Sequence, residues 1–480
     1  MFAWLKRLFR GKPAAKKTGG FRLRSRYDAA EDREDNRRHW LNADNLSADG
    51  ANSPSVRKTL RERARYEFAN NSYCNGILTS LANDLVGVGP TLQVQIDDAN
   101  ARRQIETAFW EWAEAVRLAE KLRTLKLAKT RDGEGLALLV TNDALPTSVK
   151  LDVQPFETDR LTTPDPLFKP PDGFYWVDGI VFDSAGNPVE YHILRVHPGD
   201  AFFFTNDYDR VPARSVLHWY RVDRPGQSRG IPEITPALPL FAQLRRYTLA
   251  VLSAAEAVAE MGAILLESTA NPDDETEEPE PFDKLELERG MMTTLPAGMK
   301  ASQMRPEQPA TTYGDFKNHL LREIGRCLGT TFNVVSGDSS SYNYSSARLD
   351  HLLYRSLLNV ERDHCRCRVL EPIFRAWLDE AANIPGLLPR GVSIGNLPHS
   401  WYWPGFATID PIKEAKGNTE ALANHTTTLA ELLAAEGLDW EEVLEQRARE
   451  IQRMRELGLT PAEPISDTSA LDTEEANRAG

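Results

Sequence analysis

The sequence predicts an α+β fold, because segments of helical period lie on both sides of a central block of short strands, and charged or Gly/Pro-rich stretches separate the two patterns. With 480 residues, 41% of them hydrophobic and 9% aromatic, the chain has enough apolar material for sizeable cores and more than one substructure.

Residues 1–26 hold nine basic side chains and no acidic one, and Pro13 and Gly19-Gly20 interrupt any regular element. This is expected to be a basic flexible arm, either simply solvated or drawn to an acidic shell protein, a scaffold or DNA. From Ser55 to Leu85 the apolar positions Val56, Leu60, Ala64, Phe68, Ile77, Leu78 and Leu81 recur at helical spacing after Ser53-Pro54, which predicts two helices meeting at Asn70-Asn71. Gly87 to Pro90 ends that run and leads into a short strand at Leu92–Val94. A helix over about Ala99–Ala119 follows, carrying Ile105, Phe109, Trp112 and Val116. Between Gly135 and Val222 the period changes to that of strands, with segments at 136–140, 151–153, 179–182, 191–194 and 216–219.

After Gly230-Ile231-Pro232 a long helical stripe runs from Leu240 to about Ser268, through Leu244, Tyr247, Val251, Val258, Met261 and Leu265. A helix of that length spans about 43 Å. Residues 273–288 hold nine acidic groups and one basic one, the composition of a solvated loop or insertion, and a strand-like stretch follows at 291–295. Tyr313–Leu328 is again helical through Phe316, Leu320, Ile324 and Leu328, and Gly329–Ser345 is irregular and polar. Ser346 opens another long helix through Leu349, Leu352, Leu353, Leu357, Val360 and Leu370, kinked or ended near Pro372, with Ser345 as its expected cap. A last helical block covers about 423–457, before an acidic tail expected to be disordered.

Charge and motifs exclude several classes. The 57 basic and 70 acidic residues leave a net charge of -13, which argues against a simple nucleic-acid binder. Four cysteines without a secretory signal fit a reducing compartment, and no stretch has the length of apolar chain that a membrane span needs. Gly11-Lys12-Pro13 lacks both the first glycine and the hydroxyl of a phosphate-binding loop, and Gly87-Val88-Gly89-Pro90 is half of a dinucleotide fingerprint that a tight turn explains. In a helix Cys365 and Cys367 point to different faces, so His364-Cys365-Arg366-Cys367 reads as structural. The nine histidines show no metal-ligand grouping in sequence, and neither a metalloprotease nor an esterase signature is expected. No catalytic residue, metal or cofactor is therefore expected.

Several segments, taken in order, resemble the lambda-family phage portal proteins. Arg26-Tyr27-Asp28-Ala29-Ala30, Arg38-His39-Trp40, Leu60 to Glu67, Asn70 to Tyr73 and Val86 to Gly89 are similar to that family's opening blocks. Pro225-Gly226-Gln227-Ser228-Arg229-Gly230-Ile231-Pro232 resembles its entry to the first long helix. Phe332 to Asp338 with Asn343-Tyr344-Ser345-Ser346-Ala347-Arg348 resembles its most recognisable block, and the matches together span about residues 26–380.

The resemblance implies a portal-type subunit with a mixed α/β wing, long stem and tunnel helices, a small strand-containing clip and a helical crown. By order along the chain, the wing falls in 27–231, the stem helices in 232–268 and 313–328, and the clip in 269–312. The tunnel loop is then 329–346, the tunnel helix and wing return 347–422, the crown-like helices 423–460 and the tail 461–480. The implied function is a dodecameric ring at one procapsid vertex, through which a terminase motor packages DNA and through which DNA is later ejected. The implied partners are the terminase large subunit, the major capsid protein and scaffold, a head-tail adaptor, and double-stranded DNA passing without sequence preference. The location implied is the virion's portal vertex, with the host cytoplasm during assembly. Asn333, Ser336, Asp338, Ser340, Tyr342 and Asn343 become candidates to face DNA, and Asp283, Glu286 and Glu288 candidates for motor docking. The acidic balance suits a conduit that must let DNA slide rather than hold it. The competing readings are a non-conducting adaptor or shell protein and a DNA-processing enzyme of the packaging machinery.

Overall fold

A computed structural model describes residues 38–165, 167–200, 207–260, 264–268, 299–303, 310–340, 342–389, 395, 397–406 and 411–459, with the side chains of 257–260, 264–268, 299–303 and 310–312 left aside. The basic arm, the acidic run 273–288, the strand-like stretch 291–295 and the tail from 461 lie outside the described residues. Residues up to Ser47 form a unit of their own, turn and irregular chain where described, and everything from Ala48 onward forms a second unit.

Helix α1 (Ala48–Ala51) is a single turn, and α2 (Pro54–Asn70) starts with proline at a position whose amide needs no partner. Asn71 ends α2 and caps α3 (Ser72–Val86), its side chain accepting from the amides of Tyr73 at 3.1 Å and Cys74 at 3.3 Å. Strand β1 (Thr91–Val94) leads to α4 (Ala99–Ala115), capped by Asp98. The single helix expected over 99–119 is two: Arg117 takes a left-handed conformation (φ 54°), and α5 (Leu118–Asp132) carries on from it. A mixed sequence such as Lys121-Leu122-Arg123-Thr124-Leu125-Lys126 hides α5 because three of its buried positions, Lys126, Lys129 and Asp132, are charged.

Gly133 (φ 96°) stops α5 and opens the strand block: β2 (Glu134–Thr141), β3 (Leu151–Phe156), β4 (Tyr175–Val177), β5 (Ile180–Phe182), β6 (Pro188–Leu194), β7 (Tyr208–Pro212) and β8 (Val216–Tyr220). They make two antiparallel sheets, ordered β3-β2-β8 and β4-β5-β6-β7. The second sheet buries Ile180, Phe182, Tyr191 and Ile193 against Leu136, Leu161 and Val216, a small core of its own.

Helix α6 (Leu238–Glu260) is shorter than the stripe to Ser268 suggested. Ile264–Ser268 is instead strand β9, paired antiparallel with β10 (Met299–Gln303), Ile264 opposite Gln303 and Ser268 opposite Met299. The run Ile264-Leu265-Leu266 fits either period, and the cross-strand partner decides it. Helix α7 (Ala310–Leu328) follows. Phe241 and Leu244 of α6 and Leu321, Ile324 and Leu328 of α7 are buried, whereas no described α6 side chain beyond Tyr247 is. Tyr247 meets Tyr313 and Phe316 with ring centroids 5.6 and 5.0 Å apart.

Gly329–Ser345 is less irregular than its composition suggested, since it contains α8 (Phe332–Ser336). Helix α9 (Tyr344–Cys365) runs through a π-helical turn (Arg366–Leu370) into α10 (Glu371–Ala381), so Pro372 sits in the first turn of α10 and the helical path continues. Strand β11 (His399–Tyr402) returns to pair antiparallel with β1, across about 300 residues of chain. Helices α11 (Pro411–Ala423), α12 (Leu429–Ala435) and α13 (Trp440–Glu456) complete the described chain. Arg102 and Arg103 of α4 pair with Glu441 and Glu445 of α13, and a side chain at Gly437 would meet the Trp403 carbonyl at 2.5 Å.

The main core joins helices from both ends of the sequence. Phe109 lies within 5.3–5.6 Å of Trp112, Phe374, Trp377 and Trp401, and the Trp112 indole donates to the Leu151 carbonyl at 2.7 Å. Among the described residues no helix is long and apolar enough to cross a membrane.

Candidate functional site

The polar stretch between α7 and α9 is built by local hydrogen bonds. Gly329 (φ 67°) ends α7 in a left-handed conformation that favours glycine, and lies against the side chain of Leu357. The Thr331 hydroxyl donates to Asn333 Oδ1 at 2.6 Å, and the same oxygen accepts from the Val334 amide at 3.0 Å. Ser336 donates to the Phe332 carbonyl at 2.7 Å, Gly337 (φ 68°) reverses the chain, and Asp338 Oδ1 accepts from the Ser340 amide at 2.8 Å. That amide and the Ser340 hydroxyl hold the Asp338 carboxyl below its usual pKa. Tyr342 donates to Asp350 at 2.6 Å.

The cap of α9 is Asn343 rather than Ser345. Its Oδ1 accepts from the Ser346 amide at 2.9 Å, while Ser346 Oγ accepts from the Asn343 amide at 3.1 Å. The six candidates therefore divide. Asp338, Ser340 and Asn343 are exposed; Asn333, Ser336 and Tyr342 are half-buried, with polar groups engaged inside the loop. Asp283, Glu286 and Glu288 lie outside the described residues.

Buried charges that the sequence reading did not single out tie α5 to the segment before α6 and to α9. Lys126 and Lys129 of α5 reach Glu233, just before α6, and Glu361 of α9; the Lys126–Glu361 and Lys129–Glu361 distances are 3.0 and 2.9 Å. Burial opposes every one of these charges, yet Glu233 and Glu361 raise the Lys126 pKa, and the two lysines hold both carboxyls below their usual range. The available signal was positional: Lys126 and Lys129 lie on the stripe of Leu118, Leu122 and Leu125, where a solvated lysine does not belong.

A second cluster explains the Pro225–Pro232 block. Arg229 is fully buried, with Nε and Nη2 each 2.8 Å from the Glu134 carboxylate, and the Gly230 amide donates to the same carboxylate at 2.7 Å. A side chain at Gly230 would lie 2.1 Å from the Gly133 carbonyl. Asp178 accepts from both Arg229 and Arg57. Burial disfavours the Glu134 anion, but Arg229 and then His218 hold its pKa well below normal.

Tertiary structure also gathers Glu157, Asp159 and His197, donor types that could hold a metal. Asp159, however, already pairs with Arg61 and Arg65 at 3.0 and 2.7 Å, cations that disfavour a further one. The four cysteines are free, Cys365 buried and Cys367 exposed, as expected for opposite faces. Gly391-Val392-Ser393-Ile394-Gly395 does have the G-x-S-x-G spacing of an esterase elbow, which needs a strand before it and a helix after it. Here it follows α10 and precedes β11, and Ser393 lies outside the described residues.

Comparison with known proteins places the sequence in a family. The family model for phage portal proteins of the lambda family matches residues 34–362. The probable portal protein of Halomonas phage phiHAP-1 is 25% identical over 431 residues, covering 84% of this chain and 82% of that protein. Portal protein B of Escherichia phage lambda is 26% identical over 164 residues, 31% of this chain and 30% of that one. Among solved structures, a chain in the virion of a native gene transfer agent particle has a TM-score of 0.42 and 14% identity, covering 78% of this chain and 92% of that one. The chain belongs to the lambda family of phage portal proteins, virion structural proteins of tailed phages.

Proposed function

We propose that the chain assembles into a closed ring, the dodecamer its family resemblance implies, and that this ring conducts double-stranded DNA into and out of the capsid. One observation carries the ring. Helix α9 buries Tyr354, Leu358, Arg362 and Cys365 on one side, and on the opposite side, at about 100° per residue, leaves Leu349, Leu352, Leu353 and Val360 between 54 and 69% exposed. These are four of the six positions expected to form the helix's apolar stripe, and the single chain leaves them exposed, whereas Leu357 is half-buried and Leu370 buried. A helix with apolar side chains on two opposite sides needs a neighbour on each, and a heterologous contact repeated around an axis supplies one.

The conducting role is supported by the pairing of α6 with α7, which emerge from the core side by side, and by the loop between α7 and α9, with Asp338 and Ser340 exposed at its tip. On this reading the terminase large subunit docks at the clip, 269–312, with Asp283, Glu286 and Glu288 as contacts. The capsid protein, scaffold and head-tail adaptor take the outer surfaces, the place is the portal vertex of the virion, and no residue has a catalytic role. Electron microscopy of the purified chain with mass measurement is expected to show closed rings with a channel wide enough for duplex DNA. Monomers and dimers alone would overturn the ring, and closed rings without such a channel would make the chain a non-conducting adaptor.

A further inference from the structure

Helix α13 is tied to α4 by the ion pairs Arg102–Glu441 and Arg103–Glu445, and none of its residues is fully buried. The chain just before it is fixed more firmly. Gly437 (φ 77°) is seated against the Trp403 carbonyl, and the Gly405 amide donates to the Glu436 carbonyl at 3.3 Å. Residues 436–437 are thus pinned to the segment after β11, while α13 beyond them is held at the surface by charge.

A cavity of about 330 Å³ lies at this junction. Glu106 and Arg103 line it from α4, Tyr402 from β11, and Asp439 and Glu442 from the start of α13. Glu106 Oε1 accepts from the Val94 amide of β1 at 2.7 Å. Arg102 also acts on Glu106, but it is engaged by Glu441, as Arg103 is by Glu445. Three carboxylates therefore meet beside two cations that two further carboxylates already hold. Tyr402 donates to Gln93, and burial and then Asp439 push its hydroxyl pKa up, so it stays neutral near pH 7. His399, opposite Val94 in the strand pair, has its ring nitrogens engaged by the Leu397 carbonyl at 2.8 Å and by Glu371 at 3.2 Å.

We propose that α13 is a latch on α4, hinged at Gly437, that is closed while Glu106 carries a proton and loosens when Glu106 ionises. An ionised Glu106 sets a third carboxylate against Asp439 and Glu442 and competes with Glu441 for Arg102, and both effects weaken the seat of α13. Burial raises the Glu106 pKa from 4.5 to about 7, and Asp439 and Glu442 add to it. Closing the latch therefore favours the protonated carboxyl. The Glu106 contribution is full below about 4.5 and is lost as pH rises through about 7. The latch is independent of the ring and of any DNA path.

Hydrogen–deuterium exchange of the full-length chain at about pH 6 and about pH 8, with labelling times scaled to the intrinsic exchange rate, tests it. In the native chain the protection of α13 peptides is expected to fall by about tenfold between the two, while peptides of α2 keep theirs. Glu106→Gln should hold α13 equally protected at both. Asp439→Asn with Glu442→Gln keeps Glu106 and a good cap on α13, because Asn caps as well as Asp, and should shrink the pH effect to about threefold or less. Native α13 protection that does not change with pH, an equal fall in α2, or a fall in either variant as large as in the native chain would overturn the latch.

Discussion

At the scale of single residues, the strongest constraints are buried charges whose partners come from distant sequence. Arg229→Ala would leave the Glu134 carboxylate buried with His218 and the Gly230 amide as remaining hydrogen-bond partners, and is expected to destabilise the fold by about 3–5 kcal/mol in denaturant unfolding. Replacing both partners together, as Glu134→Gln with Arg229→Met, should cost clearly less, because no unpaired ion is then left behind. Glu106 gives a pH-dependent case. Burial raises its pKa from about 4.5 to about 7, and Asp439 and Glu442 add to that, against the Val94 amide and Arg102. A carboxyl whose folded pKa is raised binds its proton more tightly in the folded state, so its contribution is full below about 4.5 and is lost as pH rises through about 7. Glu106→Gln should flatten that fall, measured as the unfolding midpoint at a series of pH values across the window. None of these partnerships was legible in the sequence, because a charge on an apolar stripe shows only that it is buried, not what pairs with it.

At the scale of elements, periodicity located the helices well where packing covers one face. It placed α2 and α3 around Asn70-Asn71, where Asn71 turns out to end one and cap the other. It failed at α5, whose stripe includes lysines, and at the end of α6, where an apolar run became β9 through its pairing with β10. The loop between α7 and α9 was found by its polarity, but its short helix and the Asn343–Ser346 cap were not, since five residues carry too little period. Replacing both Asp338 and Ser340 by Lys should add phosphate contacts and slow or stall DNA passage in a packaging assay, with assembly unchanged. Normal packaging and ejection by such rings would remove the loop from the channel. Both residues are exposed and their side chains serve only the loop tip, so folding is expected to survive the change.

At the scale of the whole molecule, the exposed side of α9 separates assembly from folding. Leu352→Asp with Leu353→Asp changes two side chains that are each more than half exposed in the single chain. The subunit should keep its circular dichroism spectrum and melting behaviour while the ring population falls, because a carboxylate desolvated at an apolar contact costs several kcal/mol at every repeat of that contact. Rings that persist unchanged would move the interface elsewhere on the subunit. The same scale explains why sequence order is a poor guide to neighbours here: β1 pairs with β11, and α5 binds both Glu233 and Glu361.

The sequence by itself determined the class of fold, the order of its helical and strand blocks and the family, because period, turn residues and ordered motifs are local properties of the chain. Only the tertiary structure decided which apolar faces are covered, since the stripe Leu349–Leu352–Leu353–Val360 reads like a core face and is left outside, while Glu134 and Arg229 read like surface and are buried. The physical reason is that burial depends on what packs against a face. A charged side chain lies inside when a partner from elsewhere in the chain neutralises it, and an apolar one lies outside when the subunit supplies it no neighbour.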